Sequence, residues 1–432
     1  MGGGLLQLVA YGAQDAYLSG NPQITFWRGL FKRHTNFAME PFRVNMTGQA
    51  AWGTKHSAIL GRHADLVSSA YIEVELRDDT AVLIYENKGR LSAFNLIEYA
   101  ELDIGGQIID RQYGEFLFLW SQIAHPTDVR ANMDLMAKTI DEDNGTCDDT
   151  TGRPFRRNIT YIPLMFFFCR NPGAALPLIA LQYHEVKINI LWNKVRQIFQ
   201  GVSSAGPAQA NLLIDYVYLD VEERRRMAQE SHEYLIEQTQ FNEDKGLTSA
   251  QNRVDLTFNH PIKELIWVTQ YSWRRNCTIA PPSFGQNVSP LTYDALIHDC
   301  SLQLNGQDRV PSLPGSYYAA VQPYQHHSGR GLIDGEVIEP NAPSTYDPAP
   351  TTDTRKLAGG VYMYSFAIKP EEHQPSGTCN FSRIDTATLV FSVDGKKKVS
   401  NEDSYNADIR VYAINYNILR VMSGMGGLAY SN

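Results

Sequence analysis

The hexapeptide Leu102-Asp103-Ile104-Gly105-Gly106-Gln107 returns as Leu302-Gln303-Leu304-Asn305-Gly306-Gln307, 200 residues further on. In a chain of 432 residues, similarity at that period divides the sequence into two halves of like design. Two weaker matches follow in the same order. Phe168 and Pro172 correspond to Phe366 and Pro370 at an offset of 198, and Val217-Tyr218 to Val411-Tyr412 at 194. Each half holds about eight strand-like runs in some 200 residues, which suits a two-sheet sandwich.

The runs themselves alternate with period two. Ile72, Val74 and Leu76 interleave with Tyr71, Glu73 and Glu75; Ala100, Leu102 and Ile104 with Tyr99, Glu101 and Asp103. Val186, Ile188 and Ile190 do the same against Glu185, Lys187 and Asn189, as do Val254, Leu256 and Phe258 against Arg253, Asp255 and Thr257. Such strands have one apolar and one wet face and pair antiparallel. Helical signals are few: Asn21-Pro22 as cap and first turn ahead of Ile24, Trp27 and Phe31, and two stretches near Glu115–Ile123 and Val221–Gln229. The expected fold is mainly β: two tandem eight-stranded antiparallel sandwiches with short helices and long loops. The boundaries read as an arm over 1–37, a first sandwich over 38–220, a linker over 221–231 and a second sandwich over 232–432. The acidic run 141–150 and the Pro-rich run 339–353 break the rhythm at similar places in the two halves and read as long surface loops at one end of both.

Charge and cysteine usage exclude several classes. Lys and Arg total 38 against 47 Asp and Glu, a net charge of −9, so direct binding of nucleic acid is not expected. Cys147, Cys169, Cys277, Cys300 and Cys379 are odd in number and widely spaced, which reads as reduced packing cysteines. The N-terminus lacks a basic secretory segment, no stretch is long enough to span a bilayer, and folding in the cytosol is expected. His184-Glu185 and His232-Glu233, the first on a strand, carry Ile188 and Ile236 where a zinc helix needs its second His. Asp141-Glu142-Asp143-Asn144-Gly145 lacks the calcium-loop spacing, and Gly424-Met425-Gly426-Gly427 has no room for a phosphate-binding helix after it. Lys396-Lys397-Lys398 reads as a solubilising loop tip, and Arg224-Arg225-Arg226 as a group paired locally with Glu222 and Glu223. No catalytic constellation, metal site or cofactor motif emerges. Six N-x-S/T sequons occur, at Asn45, Asn144, Asn158, Asn276, Asn287 and Asn380; Asn276 and Asn287, in a turn-rich stretch, are the expected glycan acceptors.

Seven blocks carry a more specific signal. They are LVAYGAQDAYLSGNPQITFW (8 to 27), RHTNFA (33 to 38), LPLIALQYHEVK (176 to 187), HEYLIEQ (232 to 238), LNGQDR (304 to 309), QPSGTCNFSRID (374 to 385) and NYNILRVMSGMGGLAY (415 to 430). In these blocks, and essentially end to end, the chain resembles the major capsid proteins of large icosahedral DNA viruses, especially those of algae such as the chloroviruses. The resemblance implies two consecutive jelly rolls and a homotrimer of pseudo-hexagonal outline that tiles an icosahedral shell with neighbouring capsomers. It implies residence in the virion capsid after assembly in the host cytoplasm. It also implies that residues 1–37 lie toward the inside of the shell, against neighbouring modules or minor capsid proteins, with Phe26, Trp27 and Phe31 as assembly anchors. The stretch 326–360 is longer than in the chlorovirus proteins and is expected to form an outer tower. A minor capsid paralogue at special lattice positions, a carbohydrate-binding tandem sandwich and a glycan hydrolase are the competing readings.

Overall fold

The computed structural model describes residues 12–27, 29, 32–48, 50–76, 93–126, 129, 132–133, 136, 159–194, 206–207, 209–247, 251–271, 286–289, 292–294, 297–329, 361–393 and 407–430. They belong to two compact units, 1–37 and 38–432.

The larger unit is built from strands. Its first half has β1 (Phe37–Asn45), β2 (Lys55–Ile59), β3 (Leu66–Glu75), β4 (Ile97–Ile104), β5 (Gln107–Tyr113), β6 (Ile159–Pro163), β7 (Leu176–Pro177), β8 (Val186–Trp192) and β9 (Gln209–Leu219). The second half has β10 (His232–Leu247), β11 (Gln251–Asp255), β12 (Pro261–Tyr271), β13 (Gln286–Ser289), β14 (Thr292–Asp294), β15 (Ile297–Leu304) and β16 (Gln307–Pro314). It continues with β17 (Val361–Ser365), β18 (Cys379–Asn380), β19 (Ala387–Val393), β20 (Ala407–Met422) and β21 (Met425–Leu428). Sheet orders are β1-β9-β3-β6 and β2-β8-β4-β5 in the first half, β10-β20-β12-β17 and β11-β19-β15-β16 in the second. The two halves thus have one topology, strand for strand, and the short β18 lies against β12 as β7 lies against β3. Each half is a two-sheet sandwich of eight main strands, as the repeat and the alternation predict.

The duplication extends to irregularities. The repeated hexapeptides are the β4–β5 and β15–β16 hairpins. Gly105, Gly106, Asn305 and Gly306 all have positive φ, the two-residue turn that matches strand twist. In the ladder of β3 with β9, Ser68 is bulged between Val67 and Ser69, and in that of β12 with β20, Lys263 is bulged between Ile262 and Glu264. This makes Ser68 the counterpart of Lys263, and Tyr216 that of Asn415. Val217-Tyr218 therefore do not correspond to Val411-Tyr412; that match is out of register, because two β-branched-aromatic pairs on one apolar face look alike in sequence.

After the hairpin each half turns into a helix, through Gly114 and Gly315. A Cβ at Gly114 would lie 2.4 Å from the Ile97 carbonyl oxygen, and one at Gly315 2.3 Å from that of Ile297. Only glycine lets the chain pass the edge of β4 and of β15 so closely. Gly114→Ala should lower unfolding free energy by about 1–3 kcal/mol, read from denaturant melts; a neutral substitution would mean that the strand edge yields.

One core lies between the first pair of sheets, with Ile72, Val74, Leu102, Ile188, Ile190 and Leu212 at 2% exposure or less. A second lies between the other pair, around Leu265, Trp267, Leu302, Leu389 and Val411. The sheet β10-β20-β12-β17 is covered on both sides: Ile266, Val268, Met363, Tyr412 and Ile414, on its other face, belong to the first core. This explains why β20 is buried along most of its length instead of alternating.

Several expectations are corrected. Asn21-Pro22 does not start a helix: the short helix is Ala16–Ser19, and Asn21, at φ +52°, ends it, since a residue before proline avoids the helical region. The wet faces of β3 and β4 are not wet throughout, because Glu73 pairs with Arg43 and Glu101, 0% exposed, pairs with Lys55 and Arg111. The linker 221–231 is largely the helix Val221–Gln229. Arg226 does pair locally, with Glu230, but Arg224 reaches Asp65 of the first sandwich through two hydrogen bonds of 2.9 and 3.0 Å. His184 lies in the bend before β8, not on a strand, and its Nδ1 hydrogen-bonds the Gly426 backbone. The Gly424-Met425-Gly426-Gly427 segment is the β20–β21 hairpin. The runs 141–150 and 339–353 and Lys396–Lys398 lie outside the described residues.

Candidate functional site: the joint between the sandwiches

The largest concentration of buried charge lies where the first sandwich meets the doubly covered sheet. The helix Gly114–Ile123, buried from Phe116 to Ile123, lies against that sheet. Glu115, in its first turn, accepts two hydrogen bonds from Arg410, each 2.6 Å, and a third from the Tyr412 hydroxyl. Burial pulls the Arg410 guanidinium down, but the Glu115 carboxylate outweighs it and holds the group above its ordinary value. Phe116, Tyr113 and Phe241 pack around the Tyr412 ring, with centroids 5.2 to 6.0 Å away.

Further along the same helix, Trp120 sits among cations. The Arg170 guanidinium lies 4.5 Å from its ring centroid and the Lys263 ammonium 5.8 Å. Both bond Glu237 of β10, at 2.5 and 2.7 Å. Lys263, wholly buried, also donates to the Pro370 carbonyl. Burial depresses the Lys263 ammonium; burial would raise the Glu237 carboxyl, but Lys263 and Arg170 keep it lowered. The bulge puts Lys263 and the next residue, Glu264, on this same side. Glu264 meets His327 Nε2 at 2.8 Å, while Glu371 meets Nδ1 at 2.9 Å, so the ring is an imidazolium clamped between two carboxylates. Burial alone would lower the His327 pKa, but the two carboxylates raise it to about 9.

Backbone contacts close the rim. Asp110, buried and raised to about 6 by burial, accepts from the Thr239 amide, and Gln238 donates to the Ile109 carbonyl. Gly329 and Ser328 donate to the Ile123 and Ala124 carbonyls at the helix C-terminus. The β20–β21 hairpin receives the Tyr183 amide at the Gly424 carbonyl, and Leu428 donates to Gln107. The arrangement fixes two sandwiches at one angle. Among the described residues no group of three His, Cys, Asp or Glu could hold a metal, and no helix is long and apolar enough to cross a membrane.

In the smaller unit Phe26 and Trp27 are fully exposed, together with Tyr17, Leu18 and Ile24. Phe31 and Asn276 lie outside the described residues, and Asn287 is on β13. Cys169, Cys300 and Cys379 are free thiols, raised by burial, Cys169 to about 12; Cys147 and Cys277 lie outside the described residues. Sequence reading missed Glu115, Arg170, Glu237, Lys263, Glu264, His327 and Arg410. The only available signal was charge within otherwise apolar strands, as in Lys263-Glu264 and Arg410.

The model of the major capsid protein N-terminus matches residues 25–220, and that of the large eukaryotic DNA virus major capsid protein matches 223–331 and 345–427. The chain belongs to the major capsid protein family of large eukaryotic DNA viruses. The capsid protein is 44% identical to the major capsid protein of Pyramimonas orientalis virus and 38% to that of Paramecium bursaria Chlorella virus 1, over the whole of each chain. Its fold superposes on a chain of the PBCV-1 virus capsid with a TM-score of 0.71 and 32% identity, covering 94% of this chain and 100% of that one. The Faustovirus major capsid protein shares the fold at 10% identity, with a TM-score of 0.66. The capsid protein is accordingly a double jelly roll that builds an icosahedral virus shell, a structural component of the virion and not an enzyme.

Proposed function

We propose that the capsid protein acts as a closed homotrimer, six sandwiches around one axis, which tiles the flat facets of the shell with neighbouring trimers. The observation that carries this reading is the joint. One sandwich already grips the next within the chain, and a repeat of that grip from chain to chain closes a ring after three copies, if each step turns by about a sixth of a circle. Light scattering on the purified chain should give about 146 kDa, three times 48.6 kDa. A monodisperse monomer at high concentration would overturn the reading.

Residues 1–37 are the segment proposed to tie trimers to their surroundings, including minor capsid proteins on the inner face, through Phe26, Trp27 and Phe31. Fully exposed aromatic side chains in one short segment support this, since they gain most from being covered. Trp27→Ala with Phe31→Ala should leave the melting of the 38–432 unit and the trimer mass unchanged, yet weaken array formation at least about tenfold. Arrays forming at the wild-type concentration would refute the anchoring role. Glycans on Asn276 and Asn287 belong to the same proposal, and peptide mass spectrometry of virion protein tests them.

A further inference from the structure

The two sandwiches share a topology, so every element of the joint has a counterpart elsewhere on the molecule. The helix Gly114–Ile123 of the first sandwich corresponds to the segment from Gly315 through Tyr317–Val321 and Gln322–His326 in the second. Gly114 and Gly315 fix the alignment, since both press on the carbonyl of the same strand position, Ile97 or Ile297. Counting onward, Trp120 corresponds to Val321 and Ile123 to Tyr324. Trp120 and Ile123 are 4% and 1% exposed at the joint, whereas Val321 and Tyr324 are 39% and 88% exposed. His326 bonds the Ile368 carbonyl and brings a third exposed apolar residue beside this segment.

The other half of the joint has its counterpart too. The face of the β10-β20-β12-β17 sheet covered by the first sandwich presents Ile266, Tyr412 and Val361. Through the shared bulge and the ladders, these correspond to Tyr71, Leu213 and Tyr161 on the outer face of β1-β9-β3-β6. Those three side chains are only partly buried, and Tyr71 lies directly between Leu213 and Pro163. Where the bulge in β12 supplies Lys263 and Glu264, the bulge in β3 supplies Ser68 and Ser69, both bonded to Asp215. The counterpart surfaces therefore keep the shape of the joint while replacing its ion pairs with apolar and hydroxyl groups.

We infer that the Val321–Tyr324–Ile368 patch of one copy docks on the Tyr71–Tyr161–Leu213 sheet face of the next, as the contact between chains. The occupant is a second copy of this chain because the one surface known to fit such a helix is its counterpart sheet, present in every copy. The inference rests on the trimer reading and specifies it: the contact within the chain is held by buried charge, and the contact between chains by apolar surface. An apolar contact between chains tolerates salt and is disrupted by a charge placed in its centre.

The test is the native mass of Val321→Arg/Tyr324→Arg by light scattering at micromolar concentration, with far-ultraviolet circular dichroism and melting temperature as checks on folding. The expected result is a folded species near 48.6 kDa in place of the trimer. Tyr71→Arg, on the opposing face, should do the same, and Tyr324→Arg combined with Tyr71→Glu should restore the larger species. Persistence of the trimer in both single-face variants overturns the inference while leaving the trimer reading intact. A monomeric wild-type chain overturns the reading itself. Should the double-arginine variant fail to fold, Ile368→Asp puts the same question from an exposed position, and an unaltered trimer there counts against the patch.

Discussion

Glu115→Ala should lower the unfolding free energy of the 38–432 unit by about 3–5 kcal/mol, one of the largest effects of any single substitution outside the apolar cores. The carboxylate has only 19% of its surface exposed and receives three hydrogen bonds, two from Arg410 and one from Tyr412. Its removal leaves a guanidinium with 5% exposure whose one remaining bond is to Gln270. Arginine cannot shed its charge, so the cost of burying it is borne in full. Glu115→Ala with Arg410→Met should recover most of the loss, since an apolar pair of similar volume often replaces a buried ion pair without penalty. Urea melts of the single and double variants give the comparison. A single variant within about 1 kcal/mol of wild type would show that water reaches Arg410.

The second large effect is a pH dependence centred on His327. Folding raises its pKa from an ordinary 6.5 to about 9, so the folded chain holds the proton that the unfolded chain releases. The resulting stabilisation, about 3 kcal/mol, is complete below pH 6.5, declines as the pH climbs, and is gone above about 9. The groups facing the ring are Glu264, Glu371 and the edge of Trp120, whose centroid lies 5.9 Å away. The difference in unfolding free energy between wild type and His327→Gln should therefore shrink by about 3 kcal/mol between pH 6 and pH 10. A gap independent of pH would mean that the imidazole is neutral in the folded chain.

The sandwiches were legible in the sequence because period-two alternation and a repeated turn hexapeptide are local signals. Leu102 to Gln107 predicts its own hairpin without reference to the rest of the chain. The joint was not legible in the same way. Its bonds link residues 67, 129 and 295 positions apart, as in Arg170 with Glu237, Gln238 with Ile109 and Arg410 with Glu115. Nothing in the neighbourhood of Arg410 or Lys263 says which partner neutralises it. Arg224 illustrates the failure: adjacent Glu222 and Glu223 looked sufficient, yet a helix directs its side chains outward and Asp65 had the better geometry. Asn21-Pro22 failed for a local reason, the steric restriction that proline places on the residue before it. Of the anchors expected in the first 37 residues, Phe26 and Trp27 stand exposed, and their partners are a matter for experiment.

The position of β20 in the sheet has a consequence for synthesis. It is the last of the sixteen main strands in chain order, yet it is hydrogen-bonded between β10 and β12 and carries Arg410, Tyr412 and Ile414 into the joint. A nascent chain can complete its first sandwich on the ribosome, but Glu115, Phe116 and Trp120 wait uncovered until residues beyond 407 emerge. Translation cut short anywhere upstream yields a first sandwich with a bare helix and no sheet to receive it. Incomplete chains are thereby kept out of the growing particle by the order in which the strands are made.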